Sequence, residues 1–97
     1  MNKVYSMIGI ARKGGNVSIG YDVTCLDIKD NKSKLVLIAT DASDKTKKNI
    51  QFICDKYNIK YVEYGEKEIL GKNLGKRVVS VLSVKDSNIA SYLLNNI

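Results

Sequence analysis

Residues 35–48 read LVLIATDASDKTKK, and the succession of residue types in this stretch decides the architecture. Leu35-Val36-Leu37-Ile38-Ala39 is apolar without a break. A strand with one wet face alternates apolar and polar residues; an unbroken run requires helices on both sides of its sheet. Thr40-Asp41-Ala42-Ser43 is a short polar turn in which Asp41 or Ser43 caps the next helix. That helix opens with Lys45, Lys47 and Lys48 and carries an inward stripe of Ile50, Ile53, Cys54 and Tyr57. Covered α/β sheets bind ligands beyond the carboxyl ends of their strands, here beside Asp41, Ser43 and the lysines. No nucleophile–base pair accompanies them, so the stretch suits an anionic ligand rather than a reaction.

Working outward, helical and extended patterns alternate without linkers or repeats. Val4, Met7, Ile8 and Ala11 recur at helical spacing and predict a helix from about Asn2 to Lys13, closed by Gly14. A short extended piece at Asn16–Ser18 leads to Gly20, which opens a second helix reaching about Lys29. Its inward stripe is Tyr21, Cys25 and Ile28, widened by Val23 and Leu26. Beyond the central strand (Lys34–Thr40) and its helix come a strand near Lys60–Glu63 and a short helix at Glu66–Leu70. Then follow a glycine-punctuated loop at Gly71–Lys76, a strand at Val78–Val84, and a last helix capped by Asp86 or Ser87. That helix turns Ile89, Leu93, Leu94 and Ile97 inward. The expected fold is a single α/β domain over residues 1–97, a three-layer α/β/α sandwich with a four-stranded mixed sheet and about five helices.

Composition narrows the function classes. Sixteen Lys and Arg against ten Asp and Glu give 97 residues a formal charge of +6, the electrostatic footprint of a nucleic-acid partner. There is no histidine, which removes the commonest general base and the catalytic triads built on it. GxxxxGK[ST], GxGxxG and GxSxG motifs are absent. Glu66 and Glu68 stand two apart and face away from each other on a helix, so they form no carboxylate pair. Cys25 and Cys54, on helix stripes, read as small core hydrophobes of a reducing compartment, a disulfide being the other option their number allows. Four zinc ligands are not available. No run is long enough to span a bilayer, and no leader-like apolar segment opens the chain. The expectation is a cytoplasmic, monomeric protein without cofactor, metal, membrane or small-molecule substrate.

Three basic junctions remain, two of them glycine-bearing. They are Arg12-Lys13-Gly14-Gly15-Asn16 through Gly20-Tyr21-Asp22, Asp41 through Lys48, and Gly71-Lys72-Asn73-Leu74-Gly75-Lys76-Arg77. Glycines admit phosphates close to backbone amides, lysines add salt-sensitive attraction, and Asn, Asp and Tyr can read base edges or stack. Any one junction could be ordinary turn chemistry. Three in one histidine-free cationic domain favour binding as the joint explanation.

ARKGGNVSIGYDV (11–23), KSKLVLIATDASDKTKKNI (32–50) and LGKNLGKRVVSV (70–81) together resemble the bacterial YlxQ-type branch of the ribosomal-protein L-seven-Ae/L-thirty-e superfamily. The likeness spans essentially the whole chain in order. It implies a non-enzymatic α/β/α sandwich that binds kinked RNA helices, especially kink-turns, in ribosomes or other ribonucleoprotein particles. The RNA-reading element of archaeal and eukaryotic branches, G-T-N-E-x-x-K, aligns with Gly20, Tyr21, Asp22, Val23 and Leu26. Only the glycine is kept: Val23 cannot accept a hydrogen bond from guanine, and Leu26 offers no cation. By the same resemblance, Asp41 holds the binding loop, and Gly75-Lys76-Arg77-Val78, about two residues shorter than in relatives, approaches an unstacked nucleotide. Lys67 is a phosphate contact, and Lys13 and Lys34 lie near the same face. With Gly14, Gly15 and Asn16, these are the expected RNA-binding residues. The competing expectation is a protein-interaction or general structured-RNA module, with half-buried Tyr5, Tyr57, Tyr61, Tyr64 and Tyr92 as potential anchors.

Overall fold

The unbroken apolar run becomes strand β2 (Leu35–Ile38), and its four residues and Ala39 are entirely shielded from water. The structure, a computed structural model, describes residues 2–97. Around β2 the chain forms α1 (Lys3–Lys13), β1 (Val17–Ile19), α2 (Tyr21–Lys29), α3 (Asp44–Tyr57), β3 (Tyr61–Glu63), α4 (Lys67–Asn73), β4 (Val81–Val84) and α5 (Ser87–Asn95). The strand order is β1-β4-β2-β3. β4 pairs antiparallel with both β1 and β2, and β2 pairs parallel with β3, so the sheet is mixed. α2 packs against α3 in one helical layer, while α1 packs against α4 and α5 in the other. The expected three-layer sandwich is the observed one.

Local chemistry explains the element ends. The Asn2 side chain accepts from the Tyr5 N–H at 3.0 Å and starts α1, whose Val4, Ile8 and Ala11 are buried one turn apart. Ser43 caps α3 by accepting from the Thr46 N–H, and Asp86 caps α5 by accepting from the Ile89 N–H. Each cap contributes about 1 kcal/mol by satisfying an otherwise orphaned amide. Inside the sheet, the Ser83 hydroxyl, buried on β4, donates to the Ser33 oxygen at 2.9 Å.

Four expectations change. The strand expected from Val78 begins at Val81; the Val79 N–H donates instead to the Lys67 carbonyl, so this lead-in belongs to α4 rather than to the sheet ladder. Gly71–Asn73 is helical, not loop. Asp41 does not cap α3. Val23 and Leu26 do not widen a core stripe but are 46 % and 58 % exposed; Tyr21, Tyr57 and Ile97 also lie at the surface. The side of α2 turned to the sheet carries Thr24 and Asp27 beside Ile28.

Candidate nucleic-acid interface

One end of the sheet gathers the carboxyl ends of β1, β2 and β3 and the start of β4, and backbone hydrogen bonds tie these chain segments into a rim. The Gly20 N–H donates to the Val81 carbonyl at 3.0 Å, and the Ala39 N–H donates to the Ser80 carbonyl at 2.8 Å. The Thr40 N–H and hydroxyl both donate to the Gly65 carbonyl, at 2.8 and 3.0 Å. The Lys67 N–H donates to Asp41 Oδ1 at 2.9 Å, and Lys67 in turn accepts from Val79. Asp41 therefore caps α4, 26 residues away, and its charge sits at the positive end of that helix. Gly20, Asp41, Lys67 and the approach to β4 are held to one another through main-chain bonds and the Asp41 carboxylate.

Two glycines are required in this construction. Gly20 has φ +114° and ψ 164°, a region that side-chain-bearing residues rarely enter, and it turns β1 into α2. At Gly71 an added Cβ would lie 2.8 Å from the Arg77 carbonyl oxygen and 2.9 Å from that of Lys76. Glycine there lets residues 76–77 fold back along α4, fastened by the Lys76 N–H donating to the Gly71 carbonyl at 2.8 Å. Lys76, Arg77 and Val78 are consequently exposed on the return toward the rim, Val78 to 52 %.

Lys13 and Gly75 come together elsewhere. With Tyr5, Gly9, Ile10 and Arg12 they line a groove of about 430 Å³ between α1 and the end of α4. Arg12 belongs to this wall and was legible as a basic residue in the last turn of α1. Gly14, Gly15, Asn16 and Lys34 are not brought to the rim. The Asn16 carbonyl accepts from Lys85, and the Lys34 N–H donates to Val84, at the opposite end of β4. That end is about 10 Å along the strand from Val81. Lys34 lines a separate shallow depression with Lys60 and Ser87. The expectation that Lys34 shares the face of Gly20 is therefore not met by its position, because it precedes β2 whereas Asp41 follows it.

The surface beside Gly20 is unusual in its polarity. On α2, Tyr21, Val23 and Leu26 are exposed while Thr24 and Asp27 are buried. A helix that turns apolar residues outward and polar ones inward has an outer face suited to contact. Of the lysines following Asp41, Lys47 is engaged: its Nζ donates to the Thr40 carbonyl at 2.7 Å and lies 3.2 Å from Glu63. This is the one salt bridge among the described residues, so most of the positive charge faces outward uncompensated by direct ion pairs.

Among the described residues no three His, Cys, Asp or Glu side chains converge on a point that could hold a metal ion, and no helix is long and apolar enough to cross a membrane. Cys25 and Cys54 are free thiols. Burial pushes the Cys54 thiol up to about 12 and also raises Cys25, which keeps both protonated and poorly nucleophilic.

A mixed four-stranded sheet between two helical layers, with a glycine-turned helix start beside the α4–β4 return, defines a family as well as a fold. Residues 2–93 match the Ribosomal protein L7Ae/L30e/S12e/Gadd45 family, and the chain belongs to it. Within the family, it is 30 % identical over 91 residues to the RNA-binding protein YlxQ of Bacillus subtilis, covering 94 % of this chain and 91 % of that one. It is 29 % identical to the large ribosomal subunit protein eL30 of Saccharomyces cerevisiae, covering 89 % of this chain and 87 % of that one. Among solved structures, a Bacillus halodurans protein of unknown function superposes with a TM-score of 0.94 at 26 % identity, over 98 % of this chain and 96 % of that one. The Giardia lamblia 15.5kD RNA binding protein shares the fold, with a TM-score of 0.78 at 19 % identity over 94 % of this chain and 81 % of that one.

Proposed function

We propose that this chain is a non-enzymatic, monomeric RNA-binding protein that grips a kinked, kink-turn-like duplex in ribosomal or other structured RNA. The contact is the rim at the Val81 end of the sheet. The observation that carries this reading is the joining of Gly20, Asp41, Lys67 and residues 79–81 by backbone bonds and the Asp41 carboxylate, with Tyr21–Asp22 and Lys76–Val78 next to them in the chain. Relatives named for RNA binding or ribosomal membership support it. Phosphate contacts from Lys67, Lys76 and Arg77 supply salt-dependent affinity, and the fixed shape of the rim supplies selectivity. Tyr21 and Asp22 are the exposed side chains of the reading element that can hydrogen-bond. Val23 and Leu26 instead offer van der Waals contact, which selects shape more than base identity.

The outward apolar face of α2 favours a second reading, in which structured RNA or a protein is bound without preference for the kink. Band-shift titrations against a kink-turn duplex and a straightened duplex of the same composition, at two salt concentrations, separate the two. The proposal expects tighter binding of the kinked RNA, weakening as salt rises. Equal affinity for both removes the kink-turn claim and leaves general RNA binding. No binding to either at low salt removes both.

A further inference from the structure

Phe52 is 70 % exposed, the most exposed large apolar side chain among the described residues. It sits on the outer face of α3, and residues four apart on a helix share a face. Lys48 and Lys56 therefore flank it, and Lys45 extends the row one turn toward the start of the helix. All three lysines are exposed, and none makes an ion pair among the described residues. Lys56 Nζ lies 5.8 Å from the centre of the neighbouring Tyr57 ring. Asp44 and Asp55 are the acids beside the row. The helix begins directly after Asp41 and Ser43, so this stripe starts at the rim and runs away from it for about 16 Å.

We infer that the outer face of α3 is a second RNA-contact surface, where an unpaired nucleotide flanking the kinked duplex stacks on Phe52 while Lys48 and Lys56 hold the neighbouring phosphates. This rests on the RNA-binding reading above. The surroundings of Phe52 select the occupant. Protein-interface cores are depleted of lysine, and an aromatic anchor there is normally ringed by apolar neighbours. Here the neighbours one turn away on either side are cations, the arrangement that single-stranded nucleic acid needs: a stacking platform with positive charge along the backbone path. Continuity with the rim lets one RNA occupy both surfaces.

Fluorescence anisotropy with three probes tests it: a blunt kink-turn duplex, the same duplex with a single-stranded oligouridine extension on either strand, and free oligouridine. An extension is expected to raise affinity by about fivefold or more. Phe52→Ala should abolish that gain without changing blunt-duplex affinity or the thermal midpoint, and Phe52→Tyr should retain it. Lys48→Ala and Lys56→Ala should each reduce the salt slope on the extended probe by about one. No gain from either extension, or a gain that survives Phe52→Ala, overturns the inference. Phe52-dependent binding of free oligouridine, with no binding of the blunt duplex, upholds this surface and removes the kink-turn reading. No binding of any probe removes both.

Discussion

The two ends of the sheet both carry lysines, yet they are built differently. At the Val81 end, four separate chain segments are bonded to one another through main-chain atoms and through the Asp41 carboxylate. At the Val84 end, Asn16, Lys34 and Lys85 are neighbours because their strands begin or finish there, joined by two backbone bonds, and the side-chain link beside them is the buried Ser83–Ser33 hydroxyl pair. Lysine supplies charge at either end. The first ties loops and helix starts from four segments into its surface, and a fixed shape is what discriminates one folded RNA from another.

Substitutions that spoil the shape should separate the two ends most widely. Gly71→Ala forces a methyl against the carbonyls of Lys76 and Arg77, which are backbone and cannot swing aside. A stability loss of about 1–3 kcal/mol in urea unfolding is expected from such overpacking, with weakened RNA binding as the return moves. Gly15→Ala, at φ +75° with open space around it, should cost about 1 kcal/mol from backbone strain and leave RNA affinity intact. Equal losses of affinity in the two variants would break the comparison.

Asp41→Ala comes next. It should cost about 1 kcal/mol by uncapping α4 and should lower kink-turn affinity, whereas Lys34→Ala should leave the urea midpoint unchanged. Smaller again are Lys76→Ala and Arg77→Ala, each expected to flatten the salt dependence of binding by about one unit, against little change for Lys34→Ala. A larger effect at Lys34 would move the contact surface to the other end.

A change of pH sharpens the contrast between surface and core. Cys54 has its pKa raised above the ordinary thiol value by burial, to about 12. The unfolded thiol therefore loses its proton first as pH rises. Its contribution is fully present below about pH 9 and is lost as pH climbs toward 12, by at most about 1.4 kcal/mol per pH unit. Wild type and Cys54→Ala, compared by urea unfolding between pH 8 and pH 11, should converge in stability as pH increases.

Which parts of this organisation the chain announces depends on the range of the interaction responsible. β2 was legible because burial on both faces is imprinted on every one of its residues. The stripe of α1 and the caps Ser43 and Asp86 were legible because their partners lie within one helical turn. Asp41 was seen as a functional position but given the wrong helix, since its partner amide is 26 residues away. Val78 and Val79 look like strand, yet the Val79 amide bonds to α4, a tertiary choice that β-propensity does not record. Gly71 reads as a helix breaker, although it is kept in α4 for the close passage of residues 76–77. On α2 the inward positions hold Thr24 and Asp27, so the apolar residues pointed to the wrong side. The exposure of Phe52 follows from the packing of α3, although the lysines four residues before and after it are visible in the sequence.

The most direct test of the claim that the Val81 end is the RNA-binding face is amide chemical-shift mapping of the isotope-labelled protein during titration with a kink-turn duplex. Perturbations are predicted to concentrate at Gly20, Tyr21, Asp22, Lys67, Val78 and Ser80, leaving Asn16, Lys34 and Lys85 unmoved. Perturbations concentrated at Asn16, Lys34 and Lys85, with the rim silent, would contradict it.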